Sequence, residues 1–259
     1  MKVLLIKAKH ILIYLSTFLL VILSTVLLFN FKKDDPKIVN TAPLKELPVY
    51  SVQNDDNKIA LTFDCAWGIK EVDTLLNLLK DTNVKATFFV TGEWCDKYGE
   101  VVKNIATLGH SVQNHSNTHP HVLGMDKKTL FDDTVMCDNK IKAITNASPK
   151  FYRAPYGEYD VNLLQVMKQE PSHIAVQWDV DSRDWQKKSV NDMVKNVVKN
   201  TSSGSIILFH TDISNSVVAL KGIIPKLLEK KFSFVTIDEL LIEENYTIDN
   251  NGRMNPSPK

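Results

Sequence analysis

Apolar positions along this chain follow three different patterns. The first is a continuous run: residues 11–29 read ILIYLSTFLLVILSTVLLF, 19 positions without a charge. As a helix rising about 1.5 Å per residue, that run spans roughly 28 Å, close to a bilayer hydrocarbon core of about 30 Å. Lys2, Lys7 and Lys9 precede it, and Lys32 and Lys33 follow. A secretory signal has a shorter apolar region of about 7–15 residues and a small-residue cleavage site; the exit here, Leu-Phe-Asn-Phe-Lys-Lys, offers no such site. The pattern predicts one N-terminal transmembrane helix, an uncleaved anchor over residues 1–31 whose partner is the membrane through residues 11–29. The flanking lysines are nearly balanced and orient it only weakly. An anchor ahead of one large domain most simply leaves that domain extracytoplasmic.

The second pattern is polar and aperiodic. Residues 32–57, with Pro36, Pro43 and Pro48, read as a linker; residues 245–259, rich in Asn, Pro and Ser, read as a flexible tail. The third pattern fills residues 58–244, where short apolar runs alternate with helical periods. Strands are predicted at 59–63, 86–90, 111–114, 151–153, 174–178, 206–209 and 234–236. Val190, Met193, Val194, Val197 and Val198 form one helical face, with Ser189 and Asp192 placed to cap its start. Leu130, Thr134, Cys137, Ile141 and Ile144 form another, which makes Cys137 a packing residue. Strand–helix alternation of this length predicts an α/β fold of about seven parallel strands with helical crossovers. That number suits an incomplete or distorted (β/α) barrel better than a flat sheet. Chemistry in such barrels sits at the C-terminal ends of the strands.

Composition narrows the function classes. Hydrophobic residues make up 44% and charged residues 24% of the 259, as in soluble globular proteins, which argues against a disordered or collagen-like chain. Thirty-one basic residues balance thirty acidic ones, and no basic block stands out, so no nucleic-acid partner is expected. Nothing calls for an oligomer, and a monomer is expected. Three cysteines (Cys65, Cys95 and Cys137) specify no disulfide framework.

The strand ends carry the candidate chemistry. His115 and His119 have a metal-ligand spacing: on a helical turn, i and i+4 side chains share a face and can hold one ion. Neutral imidazole favours Zn, Ni, Co or Cu over Mg and Ca. Asp64 ends the first strand and could pair with Arg153 at the end of another; each could equally be a solvated strand end or a surface ion pair. Asp181 and Asp184 flank a polar turn and either could cap the next helix, while His210 closes an apolar strand. Trp67, Trp178 and Trp185 could stack on sugar rings or simply pack.

Taken together these segments resemble the motifs of the polysaccharide deacetylase family, the NodB-homology domains of carbohydrate esterase family 4. The family's TFDD, H-[ST]-x-x-H, R-x-P-[YFW]-G, D-x-x-D-W and L-x-H motifs stand here as Thr62–Cys65, His115–His119, Arg153–Gly157, Asp181–Trp185 and Leu208–His210. The resemblance covers about residues 58–241, and Thr-Phe-Asp-x-x-Trp-Gly over residues 62–68 resembles the sporulation-associated branch. It implies an incomplete (β/α) barrel that removes acetyl groups from polysaccharides such as peptidoglycan or chitin, so the implied partner is an N-acetylated glycan. By resemblance, His115 and His119 bind a divalent metal, Zn2+ first, with Co2+, Ni2+ or Mn2+ as alternatives. Asp64 is the general base and His210 the general acid; Arg153 orients Asp64 and Asp181 supports His210. The Tyr156 backbone N–H helps hold the oxyanion, and Trp185, Tyr156 and Pro155 meet the substrate.

One position departs from the family: its second motif-one Asp is Cys65 here. Three readings follow. A thiolate could serve as third ligand, completing a two-His, one-Cys set. The thiol could point away, leaving the metal to two histidines plus water or Asp64. Or the site could have lost turnover, leaving a domain that only binds glycan or helps assemble the envelope. His121, two residues past His119, is a further imidazole, read as a loop residue rather than a substitute ligand.

Overall fold

The computed structural model describes residues 47–257 apart from Lys187. The anchor expected over residues 1–31 and most of the linker lie outside the described residues. Among the described residues, no helix is long and apolar enough to cross a membrane.

Among the described residues, eleven strands and seven α-helices follow in chain order: β1 (Ser51–Val52), β2 (Lys58–Cys65), α1 (Val72–Asp81), β3 (Thr87–Val90), α2 (Gly92–Thr107), β4 (Ser111–Asn114), α3 (Lys127–Thr145), β5 (Phe151–Tyr152), α4 (Val161–Val166), β6 (Ile174–Ala175), β7 (Val180–Asp181), α5 (Val190–Asn200), β8 (Ile206–His210), α6 (Ser214–Glu229), β9 (Ser233–Val235), α7 (Ile237–Leu240), β10 (Tyr246–Ile248) and β11 (Arg253–Pro256). The main sheet has the order β6-β5-β4-β3-β2-β8-β7, with β9 also pairing to β2, and every pair in it is parallel. β6 and β7 do not pair, so the barrel is open, as the strand pattern implied. All seven predicted strands are present. The added strand, β7, is only two residues long, too short to show a period.

Helix starts are written locally. Thr91, Asp126, Asp160 and Ser189 each accept the backbone N–H three residues on, and Thr236 with Glu239 forms a capping box. Within β2 the two-residue alternation divides the sheet's faces. Ile59, Leu61, Phe63 and Cys65 join the large core beneath the helices, while Ala60 joins a second, inner core with Phe89, Phe151, Val176 and Ile206.

The linker and tail expectations need correction at their inner ends. Val49 and Val52 are buried, and Val49 exchanges backbone hydrogen bonds with Ala175 and Gln177. β1 pairs with β11, which pairs with β10, and Met254 is fully buried. Residues taken as loose on both flanks thus form a three-stranded sheet over the barrel's opening. Its fit depends on glycine: a Cβ on Gly204 would stand 1.6 Å from the Val52 carbonyl oxygen. Single buried anchors such as Val49 and Met254 carry this sheet, and isolated anchors leave no apolar period to read.

Candidate active site

Asp64 and His210 are register partners on the neighbouring strands β2 and β8, 146 positions apart in sequence. Both line a cleft of about 350 Å3 at the C-terminal ends of the strands, together with His115, His119, Tyr156 and Trp185.

On the His210 side, the carboxylate that holds the ring is Asp184, not Asp181. Asp184 is buried; its Oδ1 lies 2.8 Å from His210 Nδ1 and accepts the Trp185 N–H at 2.8 Å. Its Oδ2 accepts the His210 N–H at 2.8 Å and the Ser216 hydroxyl at 2.6 Å. Burial works against the imidazolium, but Asp184, with Asp64 and Asp212 farther off, outweighs it and holds His210 above its ordinary pKa. Asp181 instead accepts the Arg183 backbone N–H at 2.7 Å and the Trp185 indole N–H at 3.4 Å, so it shapes the turn and orients that indole. Two aspartates three residues apart look alike in sequence; the bend between them, with left-handed backbone at Arg183 (φ 59), decides which one faces the histidine.

Asp64 is also buried. Arg153, fully buried, donates from Nη1 to Asp64 Oδ1 at 2.8 Å and to Thr62 Oγ1 at 2.9 Å, and from Nη2 to the Gln177 carbonyl at 3.1 Å. The guanidinium also lies over the Phe89 ring at 4.1 Å. Burial pushes the Asp64 pKa up, but Arg153, His115 and His210 more than offset it and leave the carboxyl below its ordinary value.

His115 and His119 do come together, though not on a helical turn. A loop with left-handed backbone at Ser116 (φ 70) and His119 (φ 56) brings their rings to 5.0 Å, edge to face. Asp133 accepts the Asn117 N–H and the Thr118 hydroxyl, and the Ser116 hydroxyl accepts the His119 N–H, fixing the loop. Gly92 backs it: a Cβ there would stand 2.0 Å from Asn117 Oδ1. Neither Asp133 nor Gly92 was singled out from sequence, and nothing in their spacing marks them. His115 Nδ1 lies 2.8 Å from the Arg153 carbonyl, an acceptor, so the ring's proton sits on Nδ1 and the Nε2 lone pair is free. Burial lowers the pKa of His115; burial and His115 together bring His119 down to about 4. Both rings are therefore neutral at pH 7, the form that binds a metal.

Two observations test whether a cation fits here. The His115 Nε2 lone pair faces Asp64 Oδ2 at 3.6 Å, acceptor toward acceptor, and His119 Nδ1 is buried without a hydrogen-bond partner. A cation held by the two imidazoles would satisfy both. Yet among the described residues no three His, Cys, Asp or Glu side chains are grouped as a ligand cage. Cys65 explains the shortfall. It follows Asp64 on a regular strand and so faces the opposite side, fully buried in the core cluster that includes Trp94 and Cys95. Burial raises its pKa well above the ordinary thiol value, and its sulfur sits 3.8 Å from the Phe63 carbonyl. Turned into the core rather than toward the cleft, the thiol is not placed as the third ligand that the first reading of Cys65 required.

The cleft walls are aromatic. Trp67, Tyr156 and Trp185 are more than half exposed, with Trp178 partly buried between them. Tyr156 has left-handed backbone (φ 60) in the 3-10 turn Pro155–Gly157. Pro155 is buried and does not line the cleft, so its expected contact with substrate is replaced by a role in shaping the turn. His121 is not a substitute ligand: its Nδ1 pairs with Glu158 Oε1 at 2.8 Å and its ring stacks on Tyr156. Asp212, two residues past His210, also lines the cleft; the strand-end filter could have found it.

Comparison with known proteins agrees with this geometry. Residues 51–174 match the polysaccharide deacetylase family. The chain is 36% identical over 197 residues to a peptidoglycan-N-acetylglucosamine deacetylase of Bacillus cereus, covering 74% of this chain and 71% of that protein. In three dimensions it is similar to a carbohydrate esterase family 4 pseudoenzyme from Bacillus anthracis, with TM-score 0.73, 28% identity, and coverage of 77% and 70% of the two chains. It matches equally well a mutant pseudoenzyme of that family with restored enzymatic activity (TM-score 0.73, 30% identity, 77% and 73% coverage). The chain belongs to the polysaccharide deacetylase family.

Proposed function

We propose that this protein removes N-acetyl groups from a cell-wall glycan of the peptidoglycan type, using a divalent cation held by His115 and His119. The observation that carries this reading is the pairing, across one cleft, of a carboxylate whose pKa Arg153 pulls down with an imidazole whose pKa Asp184 pushes up. Titratable partners pushed apart in this way assign the base and the acid. When bound, the cation would polarise the acetamide carbonyl and bring the pKa of water down to about 7. Asp64 takes the proton of the attacking water, and Arg153 keeps it able to do so. His210, its Nδ1 turned to Asp184, gives the proton on Nε2 to the departing sugar nitrogen. The backbone N–H of Tyr156 steadies the oxyanion; one such donor is worth about 3–4 kcal/mol. Trp185 and Tyr156 flank the sugar. Zinc is the expected ion, since imidazole ligands suit it. The form of motif one supports a place in the sporulation-associated branch, and residues 11–29 support a membrane-anchored, extracytoplasmic position.

The burial of Cys65 favours a second reading, a domain that binds glycan without turnover, because the cation has only two imidazoles to hold it. Acetate release from peptidoglycan and from chitooligosaccharides, assayed with Zn2+, Co2+, Ni2+ and Mn2+ in turn, decides between the two. Release that requires His115 and Asp64 is the expected result. No release with any ion, alongside retained glycan binding, would favour the second reading.

A further inference from the structure

We infer that the outer face of the His121 imidazole is a sugar-binding platform, one position along the glycan from the ring that reacts. This rests on the deacetylase reading and adds a subsite to it. Four rings form a row out of the cleft: Trp67 to His119 at 5.3 Å, His119 to Tyr156 at 4.7 Å, and Tyr156 to His121 at 4.1 Å between centroids. The last pair is nearly parallel, 12° between planes, so His121 covers one face of Tyr156. A sugar approaching from that side meets His121 instead.

The His121 ring is held in two ways, although its side chain is 70% exposed. Tyr156 supports its inner face, and Nδ1 is tied to Glu158 Oε1 at 2.8 Å. Glu158 is itself fixed, since Oε2 accepts the Val122 N–H at 3.1 Å and its own N–H donates to the Pro155 carbonyl. The ordering entropy that an exposed side chain would lose on binding has thus been lost already, which is what preorganisation contributes to affinity. A flat face with a free ring nitrogen at its edge suits a pyranose, which offers axial C–H groups to the face and hydroxyls to the edge. Beyond His121 the surface continues with Leu123 and Val161, both about half exposed.

The test is glycan binding without turnover, read by tryptophan fluorescence on the chelator-treated protein with the N-acetylglucosamine monosaccharide and pentasaccharide. His121→Ala is expected to weaken pentasaccharide binding roughly three- to tenfold, the range of one aromatic contact, and to leave the monosaccharide within about twofold. His121→Phe keeps a flat face but loses the Glu158 contact, and is expected to bind the pentasaccharide nearly as the parent does. Equal weakening at both lengths, or a Phe variant as weak as the Ala variant, would mean that His121 only staples two loops, and would overturn the inference while leaving acetate release to judge the catalytic reading. A parent protein that binds neither sugar would overturn the inference, with acetate release again judging the catalytic reading.

Discussion

The two sides of the cleft differ in how far the protein completes them. On the His210 side, Asp184 accepts four hydrogen bonds, from His210 Nδ1, His210 N, Trp185 N and Ser216 Oγ. On the other side two acceptors face each other across 3.6 Å, and His119 Nδ1 is buried without a partner. Unsatisfied buried polar atoms cost about 1–3 kcal/mol each. A fold keeps such a cost where a ligand repays it. The His210 half is thus self-contained, while the imidazole half leaves polar atoms that a bound cation would satisfy.

The largest expected effects probe the groups that join the two halves. Asp64→Asn or His210→Ala should each lower kcat for acetate release by about 10²–10⁴-fold, the usual worth of a positioned acid or base; a loss under tenfold in both would break the pairing. Arg153→Met leaves Asp64 buried and unpaired, and should cost about 3–5 kcal/mol of stability in denaturant titration. An unchanged midpoint would mean that the guanidinium is not what keeps the carboxylate buried.

The next effect is a displacement in pH. His210 sits above its ordinary pKa, so activity that needs its proton persists at lower pH and is lost as the pH rises through the raised value. The stability it contributes follows the same course: fully present below the ordinary imidazole value and lost on the alkaline side. Asp184 lies below its ordinary value, burial being outweighed by His210, Ser216 and backbone donors. Its contribution is therefore present above the ordinary carboxylate value and lost as the pH falls through the lowered one. Asp184→Asn should move the alkaline limb of the rate profile toward acid. Asp181→Asn, three residues before Asp184 and bonded to Arg183 N and the Trp185 indole instead of to His210, should leave the limb in place. If the two variants behave the other way round, the assignment of Asp184 is wrong. The smallest effect is expected from Trp185→Ala, which should raise KM a few-fold with little change in kcat, as loss of uniform binding does.

The strands that place the site were legible because each is a compact apolar run between polar turns, and Asp64, His115, Arg153 and His210 could be read as strand-end residues from that alone. What sequence did not settle depends on chain direction over a few residues. The choice between Asp181 and Asp184 is made by one left-handed residue between them, Arg183. The meeting of His115 with His119 is made by two left-handed residues rather than by helical spacing. The orientation of Cys65 follows from two-residue alternation once β2 is known to remain regular through its last residue, where Cys65 still pairs with Val90. The small sheet of β1, β11 and β10 was missed because its burial rests on isolated residues from opposite ends of the domain.

The central claim is that the cation is held by two imidazoles and not by the thiol. Zinc affinity measured by equilibrium dialysis with elemental analysis tests it most directly, on the parent protein, Cys65→Ala and His115→Ala. The account predicts that Cys65→Ala binds zinc as the parent does and that His115→Ala loses it. Loss of zinc in Cys65→Ala, with the fold intact, would contradict it.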